Sequence, residues 1–132
     1  MMKAEGNSQK AEVNSFRDLI VWQKSMKLVT DIYKITNHFP ESEKFGLINQ
    51  MRRAAVSVPS NIAEGFGRNS TGDYIRFLQI ASGSPYELQT QLSISQNLRF
   101  ASEDTCQAPT QLAVECERML SSLISKLKQH LR

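Results

Sequence analysis

Four stretches of this chain place apolar residues at steps of three and four, and no stretch shows sustained alternation of period two. That spacing is met by helices that each bury one face, and it excludes a sheet-based fold. The first stretch starts at Phe16 and runs through Leu19, Trp22, Met26, Val29 and Tyr33, with Leu28, Ile32, Ile35 and Phe39 widening the stripe. The second passes through Leu47, Ile48, Met51, Ala55, Val58 and Ile62, and the third through Tyr74, Leu78, Ala81, Pro85, Leu88 and Leu92. The fourth takes in Leu112, Cys116, Met119, Leu123, Leu127 and Leu131. Four helices joined by short connections predict an all-α fold, an antiparallel up-and-down four-helix bundle over residues 16–132. Residues 1–15 read as a flexible N-terminal tail.

The breaks between helices are carried by identifiable residues. Helix one ends before Pro40, because the residue preceding a proline disfavours the α region, and Glu41 or Ser42 opens helix two. The segment SVPSNIAEGFGRNSTG, Ser57 to Gly72, holds a proline and three glycines between two helical patterns. Apolar spacing persists on both sides of Pro59, so a bent but continuing helix is expected there. Ser57, Ser60 and Asn61 are placed to bond the freed backbone groups, and Asn61 with Glu64 resembles a capping box for a restarted helix. Gly65 and Gly67 then supply the stop in the left-handed conformation, and Ser70 with Asp73 caps the next helix. A phosphate-binding loop is excluded by spacing: no Gly-Lys-Ser/Thr follows the glycines, and a helix rather than a strand precedes them.

With 132 residues and 40% hydrophobic content the chain has room for one core. Its start lacks the apolar centre of a signal peptide, and no run approaches the roughly 18 apolar residues of a membrane span, so a cytoplasmic protein is expected. Reduced thiols are then the expectation for Cys106 and Cys116, and the Asn69-Ser70-Thr71 sequon carries no meaning. His38 and His130 have Ile35 and Leu127 three residues before them, so the Glu-x-x-His ligands of di-iron bundles are missing. No metal, no cofactor and no catalytic residue is expected.

The net charge is +3 with a pI of about 9.0. Arg17, Lys24, Lys27, Asp31 and Lys34 line one face of helix one opposite the Trp22 stripe, and a solvated face and a phosphate-binding face share this pattern. Arg52, Arg53, Arg68 and Arg99 add candidate phosphate contacts. Trp22 is assigned to the core, against Ser60 and Ala63. Antiparallel geometry also brings Glu64 toward Arg76 and Arg52 toward Glu87, ion pairs on the bundle seam that would specify register.

The blocks FRDLIVWQKSMKLVTDIYKITNHFP, QMRRAAVSVPSNIAEGFGR, YIRFLQIASGSPYELQTQL and MLSSLISKLK resemble the bacterial four-helix bundle family named for proteins encoded in intervening sequences of 23S ribosomal RNA genes. Pro85 departs from the family pattern, where a better helix former stands. The resemblance implies a left-handed bundle, assembly into a ring-like homopentamer, and relatedness to accessory proteins of diversity-generating retroelements, which bind nucleic acid and reverse transcriptase. It implies no enzyme activity. The functional expectation is therefore a non-enzymatic oligomeric bundle with RNA or an RNA–protein complex as partner, through Arg17, Lys24, Lys27, Lys34, Arg68 and Arg99. The alternative is an oligomeric scaffold without nucleic acid.

Overall fold

The computed structural model describes residues 2–3 and 12–131, and the expected tail over 1–15 lies largely outside the described residues. Two-residue strands β1 (Met2–Lys3) and β2 (Glu12–Val13) pair antiparallel, and Val13 is buried against the bundle. Ser15 and Asp18 form a capping box on a 3-10 turn, Phe16–Asp18. The helices follow: α1 (Ile20–Thr36), α2 (Leu47–Phe66), α3 (Thr71–Asn97) and α4 (Glu103–Gln129).

Each helix packs on two neighbours, α1 on α2 and α4, and α3 on α2 and α4. Contacts fix the directions. Gly65 of α2 lies against Tyr74 and Phe77 of α3, whereas Met51 meets the Ser95 hydroxyl, so α2 and α3 run oppositely. The shared core includes Leu28, Ile32, Met51, Ile62, Leu78, Leu88, Leu92 and Leu120, all essentially without exposure.

The core-facing stripe of α1 differs from the expected one. Val21, Ser25, Leu28, Ile32, Ile35 and Thr36 are buried, while Met26 and Tyr33 are 42% and 43% exposed and Trp22 and Val29 half-buried. Trp22 packs edge-on against Phe16 at 5.4 Å between centroids. The apolar arc of α1 is wide enough to hold two stripes, and the slimmer branched residues fit between α2 and α4 while the rings stay at the rim. The two buried hydroxyls cost little, since Ser25 donates to the Trp22 carbonyl and Thr36 to the Ile32 carbonyl, each at 2.7 Å.

Helix α2 continues through Pro59 and ends at Phe66 with Gly67 as its C-cap, as the apolar spacing predicts. Two expectations about this stretch are corrected. No helix restarts at Asn61, whose amide instead reaches back to the Ser57 carbonyl (2.9 Å) and hydroxyl (3.1 Å). Gly67 is right-handed (φ −82°, ψ 0°), and Gly65 sits inside the helix. The start of α2 also differs, with Glu41–Glu43 a 3-10 turn and the Glu43 carboxylate accepting from the Leu47 amide at 3.1 Å. Pro85 and Pro109 lie within unbroken α3 and α4, and Ser70 caps α3 through the Asp73 amide as expected.

Gly65 is required by space. A Cβ there would stand 2.7 Å from Phe77 Cβ and 3.3 Å from the Tyr74 carbonyl oxygen, positions fixed by the α3 backbone. Gly65→Ala should destabilise the protein by about 1–3 kcal/mol, because overpacking outweighs the gain of about 1 kcal/mol in helix propensity. Gly83→Ala, with nothing within 4 Å of the new carbon, should instead stabilise by roughly 0.5–1 kcal/mol. Urea unfolding of the two variants checks the opposite signs.

Candidate functional site

The candidate cations do not form a single patch. Arg17 stacks on the Phe16 ring at 4.5 Å, Lys24 pairs with Glu115 of α4 at 3.5 Å, and Lys27 pairs with Asp31 at 3.8 Å. Lys34 forms no ion pair among the described residues. Arg68 bonds Glu64 at 2.9 Å and lies over Phe77 at 4.5 Å. Arg99 stands in the α3–α4 turn, at the other end of α3 from Arg68 and roughly 40 Å away at 1.5 Å per residue.

The expected seam pairs are not made. Glu64 is taken by Arg68 one turn on, and Arg76 bonds Asp73 at 3.3 Å. Local helical neighbours are reached without crossing the bundle, which explains the preference. Glu87 accepts from Gln91 at 3.2 Å, while Arg52 turns away from α3 altogether. Its Nε donates to Thr36 Oγ1 at 2.9 Å and its Nη2 to the Tyr33 carbonyl at 3.4 Å, with the guanidinium 4.4 Å over the Tyr33 ring. This contact was missed because a residue of α2 has two neighbouring helices; the equal-rise argument about the first turn points position 52 at the C-terminal half of α1 as readily as at Glu87.

The result is an open groove of about 600 Å³ lined by Val29, Thr30, Tyr33, Lys34, Asn37 and Arg52. A second groove, about 360 Å³, lies between α1 and α4, where Lys27, Asp31, Lys34 and His38 surround an apolar floor of Ile35 and Pro109. Unpartnered apolar surface adjoins the first: Met26 and Val56 are 42% and 40% exposed, and Tyr33, beneath the Arg52 guanidinium, is 43% exposed. Ile80 and Ile94 on α3 and Leu98 at its C-cap are also exposed.

Burial pushes Cys106 up, and it carries Cys116 up to about 11, with Glu115 adding and Lys24 opposing. Tyr86 is raised by its hydrogen bond to Glu117. Among the described residues no group of three or more His, Cys, Asp or Glu side chains could hold a metal ion, and no helix is long and apolar enough to cross a membrane.

The architecture and its surface define a four-helix bundle with open grooves between neighbouring helices. The chain belongs to the 23S rRNA-intervening sequence protein family, which matches residues 17–122. In fold it is similar to the crystal structure of a protein of unknown function from the S23 ribosomal protein family of Bacteroides thetaiotaomicron, with TM-score 0.72 and 24% identity over 80% of this chain and 98% of that one. No curated protein matches the chain.

Two outcomes follow. Arg99 has φ 63°, and the Phe100 amide reaches the Ser95 carbonyl at 2.9 Å, closing α3 in a Schellman arrangement with a non-glycine residue in the left-handed position. Arg99→Gly should raise stability by about 1 kcal/mol, seen as an increased Tm. For Cys116 the folded pKa lies above the ordinary 9.0, so its contribution to stability is complete below about pH 9 and is lost as pH rises toward 11. The stability difference between wild type and Cys116→Ala should narrow over that window in urea titrations.

Proposed function

We propose that the protein is a non-enzymatic homo-oligomeric bundle that binds RNA or an RNA–protein complex. The observation that carries the reading is the α1–α2 rim, where cations without carboxylate partners, Lys34 and Arg52, border unpartnered apolar side chains. Exposed apolar groups on α1, α2 and α3 favour cover by further copies, and because these are different faces, head-to-tail contact that closes into a ring covers more of them than a two-fold dimer. A pentamer is the ring that the family resemblance favours. A reverse transcriptase is the protein partner the same resemblance offers. Buried, protonated thiols and carboxylates held in surface pairs support binding rather than catalysis.

Sedimentation at micromolar concentration should give a mass several times the 14.9 kDa of one chain. Affinity for single-stranded RNA should fall steeply as salt rises, since each phosphate contact releases counterions. Changing Lys34, the α1 lysine without an ion pair among the described residues, to glutamine should reduce the slope of log affinity against log salt by roughly one, at about 0.7–0.9 per contact, while leaving the fold intact. An RNA affinity insensitive to salt, or an unchanged slope in the Lys34 variant, would move the reading to an oligomeric scaffold.

A further inference from the structure

We infer that the α1–α2 groove is a phosphate-binding site, with Arg52 as its fork, Lys34 and Asn37 as its second wall and the Tyr33 ring beside it as a stacking surface. The inference deepens the RNA reading and rests on it only for the source of the phosphate, a phosphodiester of a single strand.

Arg52 is held in place before any ligand arrives. Its Nε bonds Thr36 Oγ1, and that hydroxyl is itself fixed by donating to the Ile32 carbonyl at 2.7 Å. The Tyr33 ring packs on the guanidinium plane, and Nη2 reaches the Tyr33 carbonyl. These bonds use Nε and part of Nη2. They leave Nη1 without a hydrogen bond among the described residues, so donors remain on the Nη1–Nη2 edge, which suits two oxygens of one phosphate. An ordered guanidinium loses little conformational freedom on binding.

The charge around it is not compensated. Arg68 pairs with Glu64 and Arg76 with Asp73, whereas among the described residues no carboxylate pairs with Arg52 or Lys34, as none does with Arg17, Arg53, Arg99 or Arg118; what sets Arg52 and Lys34 apart is that they share one groove and no carboxylate lines it. The opposing local field is the C-terminal dipole of α1, about half a negative charge. Two full positive charges exceed it, and Arg52 already occupies one carbonyl of that last turn. The groove volume of about 600 Å³ accommodates a nucleotide and is far larger than a lone carboxylate needs. Tyr33, 43% exposed, offers a ring for a base beside the phosphate.

A purely structural Arg52, capping α1, is distinguished by Arg52→Lys, which keeps a cation for the carbonyl but loses the fork. The full chain is titrated with inorganic pyrophosphate and, separately, with a single-stranded RNA oligonucleotide. Modification of each arginine by phenylglyoxal is mapped by mass spectrometry with and without the probe. Pyrophosphate should protect Arg52 and leave Arg53 unprotected, and Arg52→Lys should weaken both probes by roughly tenfold or more at unchanged Tm. If Arg52→Lys unfolds, protection in the wild type still decides. Reactivity of Arg52 unaffected by saturating pyrophosphate would overturn the inference, and so would protection that follows protein concentration instead of probe, which assigns the groove to a second copy. Salt-sensitive RNA binding with Arg52 unprotected would sink the groove and leave the RNA reading standing. Protection by pyrophosphate without any RNA binding would keep the site, remove RNA as the source, and point to a free phosphate ester.

Discussion

The approach of α2 to α3 at Gly65 sets the rotation of α2, and much of the surface chemistry depends on that angle. With Phe77 Cβ 2.7 Å from where a side chain would begin, Gly65 must face α3. Arg52 lies thirteen positions earlier in the same helix, which at about 100° per residue places it about 140° around the axis from Gly65. It therefore points to the outer edge of the α1 contact and away from Glu87. A packing requirement at one end of α2 thus determines which helix receives a cation near the other end. Continuity through Pro59 is what transmits the angle, since the helix runs unbroken although the proline contributes no backbone donor.

Fold class and element identity were legible in the sequence because three-four spacing is strong over long helices. The Ser70 cap was legible, whereas the side-chain caps at Ser15 and Ser102 were not read and Asn61–Glu64 was misread as one. The phase of α1 was not. Its two stripes, Trp22–Met26–Val29–Tyr33 and Leu28–Ile32–Ile35, are similarly apolar, and only the width available between α2 and α4 selects the second. Likewise Gly65 reads as a helix stop in the sequence, since the absence of a side chain serves backbone freedom and close packing alike; the neighbouring α3 residues decide between them.

The candidate site was half legible. The cations of α1 were visible as a stripe, but whether a lysine is partnered depends on the opposite helix: Glu115 of α4 meets Lys24, whereas nothing comparable meets Lys34. Arg52 was identified as a residue with a defined partner, and the partner was misassigned. Arginine can satisfy itself on carbonyls, hydroxyls and rings, and those partners leave no charge complement for a pattern search to find.

On the proposed reading a single groove of this kind would bind weakly, since it is open to solvent and exposed charge is screened within about 8–10 Å at physiological salt. Repetition changes that. In a homo-oligomer the same groove recurs on every copy, so after one phosphate is engaged the next lies at a high effective concentration along a flexible strand. Gain by repetition requires that the covering of Met26 and Val56 by another copy leave Lys34 and Asn37 open, and those two residues sit on the solvent side of the α1 C-terminal turn. On the proposed reading, the apolar part of the rim holds the copies together and the cationic part faces outward at their boundary. Assembly and ligand binding would then use adjacent strips of one surface, and binding would depend on oligomer size more steeply than on the chemistry of any one site.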